Sequence, residues 1–142
     1  MKKYPKYKES GVDWLGEIPE GWNFRTLRRV TKEHRQGYYI ADNYIESGVK
    51  LVRITDLHEN GEITYTEMPY VKITTEHEKV YEILEGDFLF PRTGSIGLLG
   101  YVKKPERAVF ASYLIRFRFK KNEILNITID TIFSFRICLD AC

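Results

Sequence analysis

The stretch Ala111–Phe119 reads ASYLIRFRF, and its strict alternation allows few conformations. Tyr113, Ile115, Phe117 and Phe119 fall on one side; Leu114, Arg116, Arg118 and Lys120 fall on the other. A period of two belongs to a strand, whose successive side chains point to opposite faces, and not to a helix of 3.6 residues per turn. Such a strand needs a sheet, and the other segments supply short neighbours for it. Val49–Thr55 is rich in β-branched residues and reads as a strand. Asn60-Gly61 is a hairpin turn signal that leads to Ile63 and Tyr65 on a second strand. Phe88-Leu89-Phe90 is an apolar run stopped by Pro91, and a further strand runs to Val102. Leu27 and Val30 predict a short helix reaching about Lys32. Another helix is predicted to start within Thr74–Glu78, where Thr75 precedes Glu78 by three residues as a capping box requires. Leu84-Glu85-Gly86-Asp87 ends it early, and Asp130 is read as the cap of a last helix to Leu139, with a strand as the alternative that its Ile and Thr content allows. The fold class that follows is α+β: a single domain of mostly antiparallel short strands with a few short helices.

With 142 residues the chain has the length of one domain. No apolar run approaches 18 residues, so no membrane span is predicted. The N-terminal MKKYPKYKES is basic but has no apolar stretch behind it and does not read as a secretory signal, so a cytoplasmic location is expected. Cys138 and Cys142, four apart with no His or other Cys nearby, make a poor metal site and read as free thiols. Residues 1–21 read as an ordered leader, in which Trp14, Leu15, Ile18 and Pro19, with Trp22 just beyond, are expected to pin a polar loop onto a core. Residues 22–142 form the body.

Charge is unevenly placed. Arg25–Arg35 carries five basic residues and one acid, and Lys103–Lys121 carries seven and one. Between them, Asp56–Asp87 carries nine acids against Lys72 and Lys79. If the two basic segments meet in space, one face is positive, as in a protein that docks a polyanion.

The motifs of enzymes are missing. There is no GxxxxGK[ST] loop and no GxSxG elbow. Gly94, Gly97 and Gly100 precede a strand and not a helix, against a dinucleotide site. His34, His58 and His77 are far apart. Asp56, Glu59 and Glu62 suit a Mg²⁺-dependent nuclease in principle, but they flank a glycine turn where acids are ordinary. No catalytic residue, metal or cofactor is predicted. Nucleic-acid chemistry is better represented. Arg28, Arg29, Lys32 and Arg35 lead into Gln36, Tyr38, Tyr39 and then Asn43, a mixture that combines phosphate anchoring with base-edge contact. Tyr38 and Tyr39 are neighbours and cannot both face a core. Arg116, Arg118 and Lys120 share a strand face at a spacing of about 7 Å between neighbours, which suits successive phosphates. Arg92-Thr93-Gly94-Ser95 closes an apolar strand, either as a plain turn or as a loop presenting an arginine, two hydroxyls and backbone N–H groups to a phosphate. Plain structural alternatives stand beside these. The basic strand face can pair with the acids of 56–87, and the tyrosines can simply pack. A protein-interaction module is then the alternative function.

Three stretches also resemble a known family, the specificity subunits of type I restriction-modification enzymes. YKESGVDWLGEIPEGW is similar to their N-terminal phrase Tyr-Lys-x-Ser-Gly-Val-x-Trp-Leu-Gly-x-Ile-Pro-x-x-Trp. Gly48-Val49-x-x-Val52-Arg53-Ile54-x-Asp56-Leu57 resembles a strand of their target recognition domain. Gly86-Asp87-Phe88-Leu89-x-x-Arg92-Thr93-Gly94-Ser95-x-Gly97 resembles its glycine segment, and Ala111–Arg116 the strand after it. The resemblance runs to about Lys121. It implies a target-recognition-domain-like fold that reads one half of a bipartite duplex DNA site, with Arg53, Arg92, Thr93 and Ser95 added to the candidate DNA-binding residues. It also implies partners: methyltransferase subunits docked on long spacer helices, and a nuclease subunit. No heptad-like helix follows here, and ILNITIDTIFSFRICLDAC fits the family poorly, as expected of a truncation, a frameshift product or a fragment. Methyltransferase docking is expected only where the full spacer helices are present.

Overall fold

The computed structural model describes residues 4–13, 15–22, 27–40, 43–95 and 97–120. Trp14, the predicted helix of Asp130–Leu139, Cys138 and Cys142 lie outside the described residues. The chain clusters into two compact units, Met1–Val30 and Thr31–Cys142.

In the first unit Tyr7–Glu9 (β1) pairs antiparallel with Glu17–Pro19 (β2), Lys8 standing opposite Ile18. The Ser10 hydroxyl accepts from the Val12 amide at 3.1 Å, and the Ser10 amide donates to the Gly16 carbonyl at 2.9 Å, which closes the turn. Tyr4 sets its ring edge-on to Tyr7 and Trp22, so these aromatics of the leader pack on one another. A single helical turn, Leu27–Val30 (α1), follows. It ends before Lys32 because Thr31 already enters a strand.

The second unit holds, in chain order, β3 (Thr31–Gln36), β4 (Val49–Val52), a 3₁₀ turn (Ile54–Asp56), β5 (Tyr70–Val71), α2 (Thr75–Tyr81), β6 (Phe88–Pro91), β7 (Gly100–Tyr101), β8 (Ala108–Phe110) and β9 (Leu114–Phe119). One sheet has four antiparallel strands in the order β3-β9-β6-β7. The other has three in the order β5-β4-β8, and its β4–β8 pair is parallel. Short strands and two helices make an α+β arrangement, with that one parallel pair set among antiparallel ones.

The parallel pair explains why β8 is apolar throughout and β4 is broken only by Lys50. Val52, Ala108 and Phe110 pack with Leu57, Leu89 and Leu114 on one side. Val49, Leu51 and Val109 pack with Val71 and Ala111 on the other. Strands covered on both faces need no polar alternation. Burying Phe110 completely is worth about 1.5–3 kcal/mol.

Several local expectations shift. The strand from Val49 stops at Val52, because Asp56 folds back onto Arg53 and forces a 3₁₀ turn. Asn60-Gly61 turns the chain, but the strand expected at Ile63 and Tyr65 shrinks to a bridge between Leu57 and Ile63. The α2 cap is Thr74, whose hydroxyl accepts from the His77 amide at 3.3 Å, one residue earlier than the capping-box reading at Thr75. The largest correction concerns β9. Its alternation is as read, but the basic side is the inner one: Leu114 and Arg116 are buried. Phe117 and Phe119 instead join Phe88, Phe90 and His34 in a ladder of ring contacts on the opposite face.

Candidate functional site

Burying an arginine on a strand requires acids to meet it, and the acids come from β3 and from the turn before β6. Arg116 is 1% exposed. Its Nη2 donates to Glu33 Oε1 at 2.6 Å, its Nη1 to the Glu82 carbonyl, and its Nε stands 4.0 Å from Asp87 Oδ2. The guanidinium lies 5.2 Å from the centroid of the Phe110 ring. Arg118 grips Asp87 with both forks, Nε to Oδ1 at 2.7 Å and Nη2 to Oδ2 at 2.8 Å. Asp87 also accepts from the Leu84 amide at 2.8 Å. Burial and the nearby Arg118 charge push the Arg116 guanidinium below its usual range, against the pull of Asp87 and Glu33. Its hydrogen bonds to Asp87 hold Arg118 above that range, in spite of partial burial. Burial works to raise the Glu33 carboxyl, but bonds and charges from Arg35, Arg116 and Arg118 win and hold it below the usual carboxylate value. The face expected to carry a row of phosphate contacts is therefore an internal charge network. Arg116 is not on the surface, because β9 turns this side toward the interior.

The same pairing of basic with acidic segments recurs elsewhere. Arg107 binds Glu78 through two bonds of 2.7 and 2.9 Å, and Lys50 binds Glu106. Arg53 donates to Asp56 through its amide at 2.7 Å and its guanidinium at 2.9 Å, and Asp56 raises its pKa. Of the segments that suggested a recognition domain, one thus contains the Arg53–Asp56 contact, and the other supplies Asp87 to Arg118, each with a structural task. Asp56 is committed to Arg53, and Glu62 bonds to Asn60, so neither is aimed at a shared cation. Among the described residues no group of three or more His, Cys, Asp or Glu is placed to hold a metal ion, and no helix is long and apolar enough to cross a membrane.

What remains open is a concavity of about 550 Å³ where the loop after β3, the end of β4 and the β8–β9 corner meet. Tyr38, Tyr39, Asn43 and Arg53, all singled out from the sequence, line it together. Tyr44, Ser112 and Tyr113 line it too, and sequence reasoning missed them. Tyr113 had been assigned to a continuous strand, but Leu114 bonds back to the Ala111 carbonyl at 2.9 Å, and this turn throws Tyr113 out of the sheet. Tyr39, Tyr113 and Tyr44 are 74%, 65% and 57% exposed. Tyr38 does the opposite of its neighbour: its ring rests 5.3 Å from that of Tyr81 and 5.8 Å from that of His77.

The concavity depends on a close backbone approach at Gly37. Gly37 donates to Leu114 at 3.0 Å and Tyr38 to Phe110 at 2.8 Å. A Cβ on Gly37 would sit 2.1 Å from the Ala111 carbonyl oxygen, so only glycine fits. Gln36 reinforces the seam by donating its side-chain amide to the Ser112 carbonyl at 3.2 Å. The glycine loop roots at the same corner, since the Arg92 amide donates to the Tyr113 carbonyl at 2.8 Å. Gly94 and Gly97, with φ of 84° and 83°, give the loop its left-handed turns. Arg92 and Thr93 are exposed and Ser95 is half-buried. Of the other predicted residues, Lys32 is exposed on β3, and Arg35, also exposed, bonds Glu33 at 3.1 Å. Arg28 and Arg29 lie exposed on α1, in the first unit.

Concave, aromatic-rimmed and flanked by arginines, this site belongs to a chain with informative relatives. The chain is similar to a restriction-enzyme specificity subunit. That relative, from Methanocaldococcus jannaschii, carries the provisional name of type I restriction enzyme MjaX specificity subunit and is 31% identical over 115 residues. The match takes in 78% of this chain, which spans 27% of the relative's length. No protein-family model matches the chain.

Proposed function

We propose that this chain is a DNA-reading domain of a type I restriction specificity subunit, that it recognises one half of a bipartite duplex site, and that it carries no catalysis of its own. The observation that carries the reading is the convergence at one corner of three exposed tyrosines, Arg53 and the Arg92 loop. Similarity to a protein named as a specificity subunit supports it. In this reading Arg92, Thr93 and Ser95 hold the phosphate backbone, while Tyr39, Asn43, Tyr44 and Tyr113 face the bases. Gln36 positions Ser112 and keeps part of its amide for a base edge. Lys32, Arg35, Arg28 and Arg29 add long-range attraction. Arg116 and Arg118 hold the sheet together. Methylation and cleavage then fall to partner subunits.

Selection from a random duplex pool, followed by titration at several salt concentrations, tests this. An enriched motif and a steep salt slope are expected. Arg92→Ala should weaken all sequences alike and flatten the slope by about one. No binding to any duplex at low salt would discard the proposal in favour of a protein-interaction module.

A further inference from the structure

We infer that the concavity takes a single nucleobase that has left its stack, and so reads part of its site on an extruded base. This rests on the DNA-binding reading above. Base edges inside a duplex lie at the floor of a groove, and the protein parts that reach them are convex, a helix or a ribbon inserted from outside. A hollow cannot enter a groove. It can only receive something that projects from the nucleic acid. The hollow here is an open cleft of about 550 Å³, within the usual range of ligand clefts.

Its chemistry fits an unstacked base. Tyr39, Tyr44 and Tyr113 offer exposed ring faces, and a base that leaves its stack needs a π-surface in exchange. Arg53 and Asn43 add donors and acceptors at the wall for the hydrogen-bonding edge freed by unpairing. Arg53 is held by Asp56 at 2.9 Å, so its guanidinium is oriented before any ligand arrives. Arg92 shares a backbone hydrogen bond with Tyr113, which sets a phosphate anchor and a stacking ring on adjoining residues of one corner. The polyanion and the aromatic ring are thus matched by neighbouring groups, as a nucleotide requires.

The test compares two short duplexes of the same sequence, one fully paired and one with a single extrahelical fluorescent adenine analogue. Stacking on tyrosine should make the bulged duplex bind at least about tenfold more tightly and quench the analogue on binding. Tyr113→Ala and Tyr39→Ala should abolish both effects, and Tyr113→Trp should keep them. Equal affinity for the two duplexes without quenching would overturn the inference while leaving DNA binding intact. Preference for the bulge that survives both alanine variants would also overturn it, by moving the base elsewhere. Failure to bind either duplex at low salt would remove the DNA reading itself.

Discussion

Asp87→Asn isolates the contribution of the buried charge network. Asparagine keeps the shape of the side chain and removes only its charge and one acceptor. In the native protein both carboxylate oxygens are used, by the two forks of Arg118 at 2.7 and 2.8 Å and by the Leu84 amide at 2.8 Å. The new NH₂ must face at least one of these donors. Arg116, with Nε 4.0 Å away and 1% of its side chain exposed, is left with Glu33 as its counter-charge. Removing one member of a buried ion pair costs about 3–5 kcal/mol, because the remaining charge stays desolvated. Domains of this size are stable by about 5–15 kcal/mol, so about a fifth or more of the stability is at stake. At about 4 °C per kcal/mol the expected fall in Tm is about 12–20 °C. Urea unfolding followed by fluorescence and circular dichroism should show a lower midpoint with an unchanged m value. A loss below about 1 kcal/mol at neutral pH would refute the reasoning, since it would mean that solvent already reaches and screens these groups.

Three further outcomes are expected. Glu33 has a depressed pKa in the fold, so it stabilises the protein above its ordinary value of 4.5, and that contribution is lost as pH falls through the lower folded value; Glu33→Gln should flatten the acid limb of a stability–pH curve. The Tyr65 hydroxyl is buried without a hydrogen-bond partner among the described residues, and burial pushes its pKa up to about 12. Its neutral form is favoured by folding, so stability should hold below pH 10 and drop between 10 and 12; Tyr65→Phe should remove that drop and stabilise by about 1 kcal/mol, read by urea midpoint. Gly37→Ala places a Cβ 2.1 Å from the Ala111 carbonyl oxygen and should cost about 2 kcal/mol or more by thermal unfolding, with weaker DNA binding as the corner opens.

Much of the fold was legible because period and turn chemistry act locally. The alternation of Ala111–Phe119, the apolar runs at Val49 and Phe88 and the helix near Thr75 all appear as elements, with ends moved by one to three residues. Which face of β9 is inside was not legible. Hydrophobicity alone points Phe117 and Phe119 inward, but three-dimensional pairing with Glu33 and Asp87 brings Arg116 there instead, and those acids are 83 and 29 positions away in sequence. The parallel partner of β4 was hidden for the same reason, since no local pattern marks which distant strand it meets. At the candidate site, Tyr38, Tyr39 and Asn43 could be named from their types and company, and Arg53 from the family resemblance. Tyr113 could not, because its exposure comes from a turn at Ser112 that carries no glycine, proline or asparagine to announce it.

The network around Asp87 also bears on how such a domain can change over generations. A slip of one residue in β9 would bring Phe117 to the acids and Arg116 to the aromatic ladder, so the charges enforce a single register. The groups that enforce it, Glu33, Asp87, Arg116 and Arg118, do not line the concavity. Tyr39, Asn43, Tyr44 and Tyr113 line it and take no part in the network. Mutations at the rim therefore carry little thermodynamic toll, while substitutions in the frame leave buried charges without partners. That separation is the physical condition for evolvability: the rim is free to vary on a scaffold that is not.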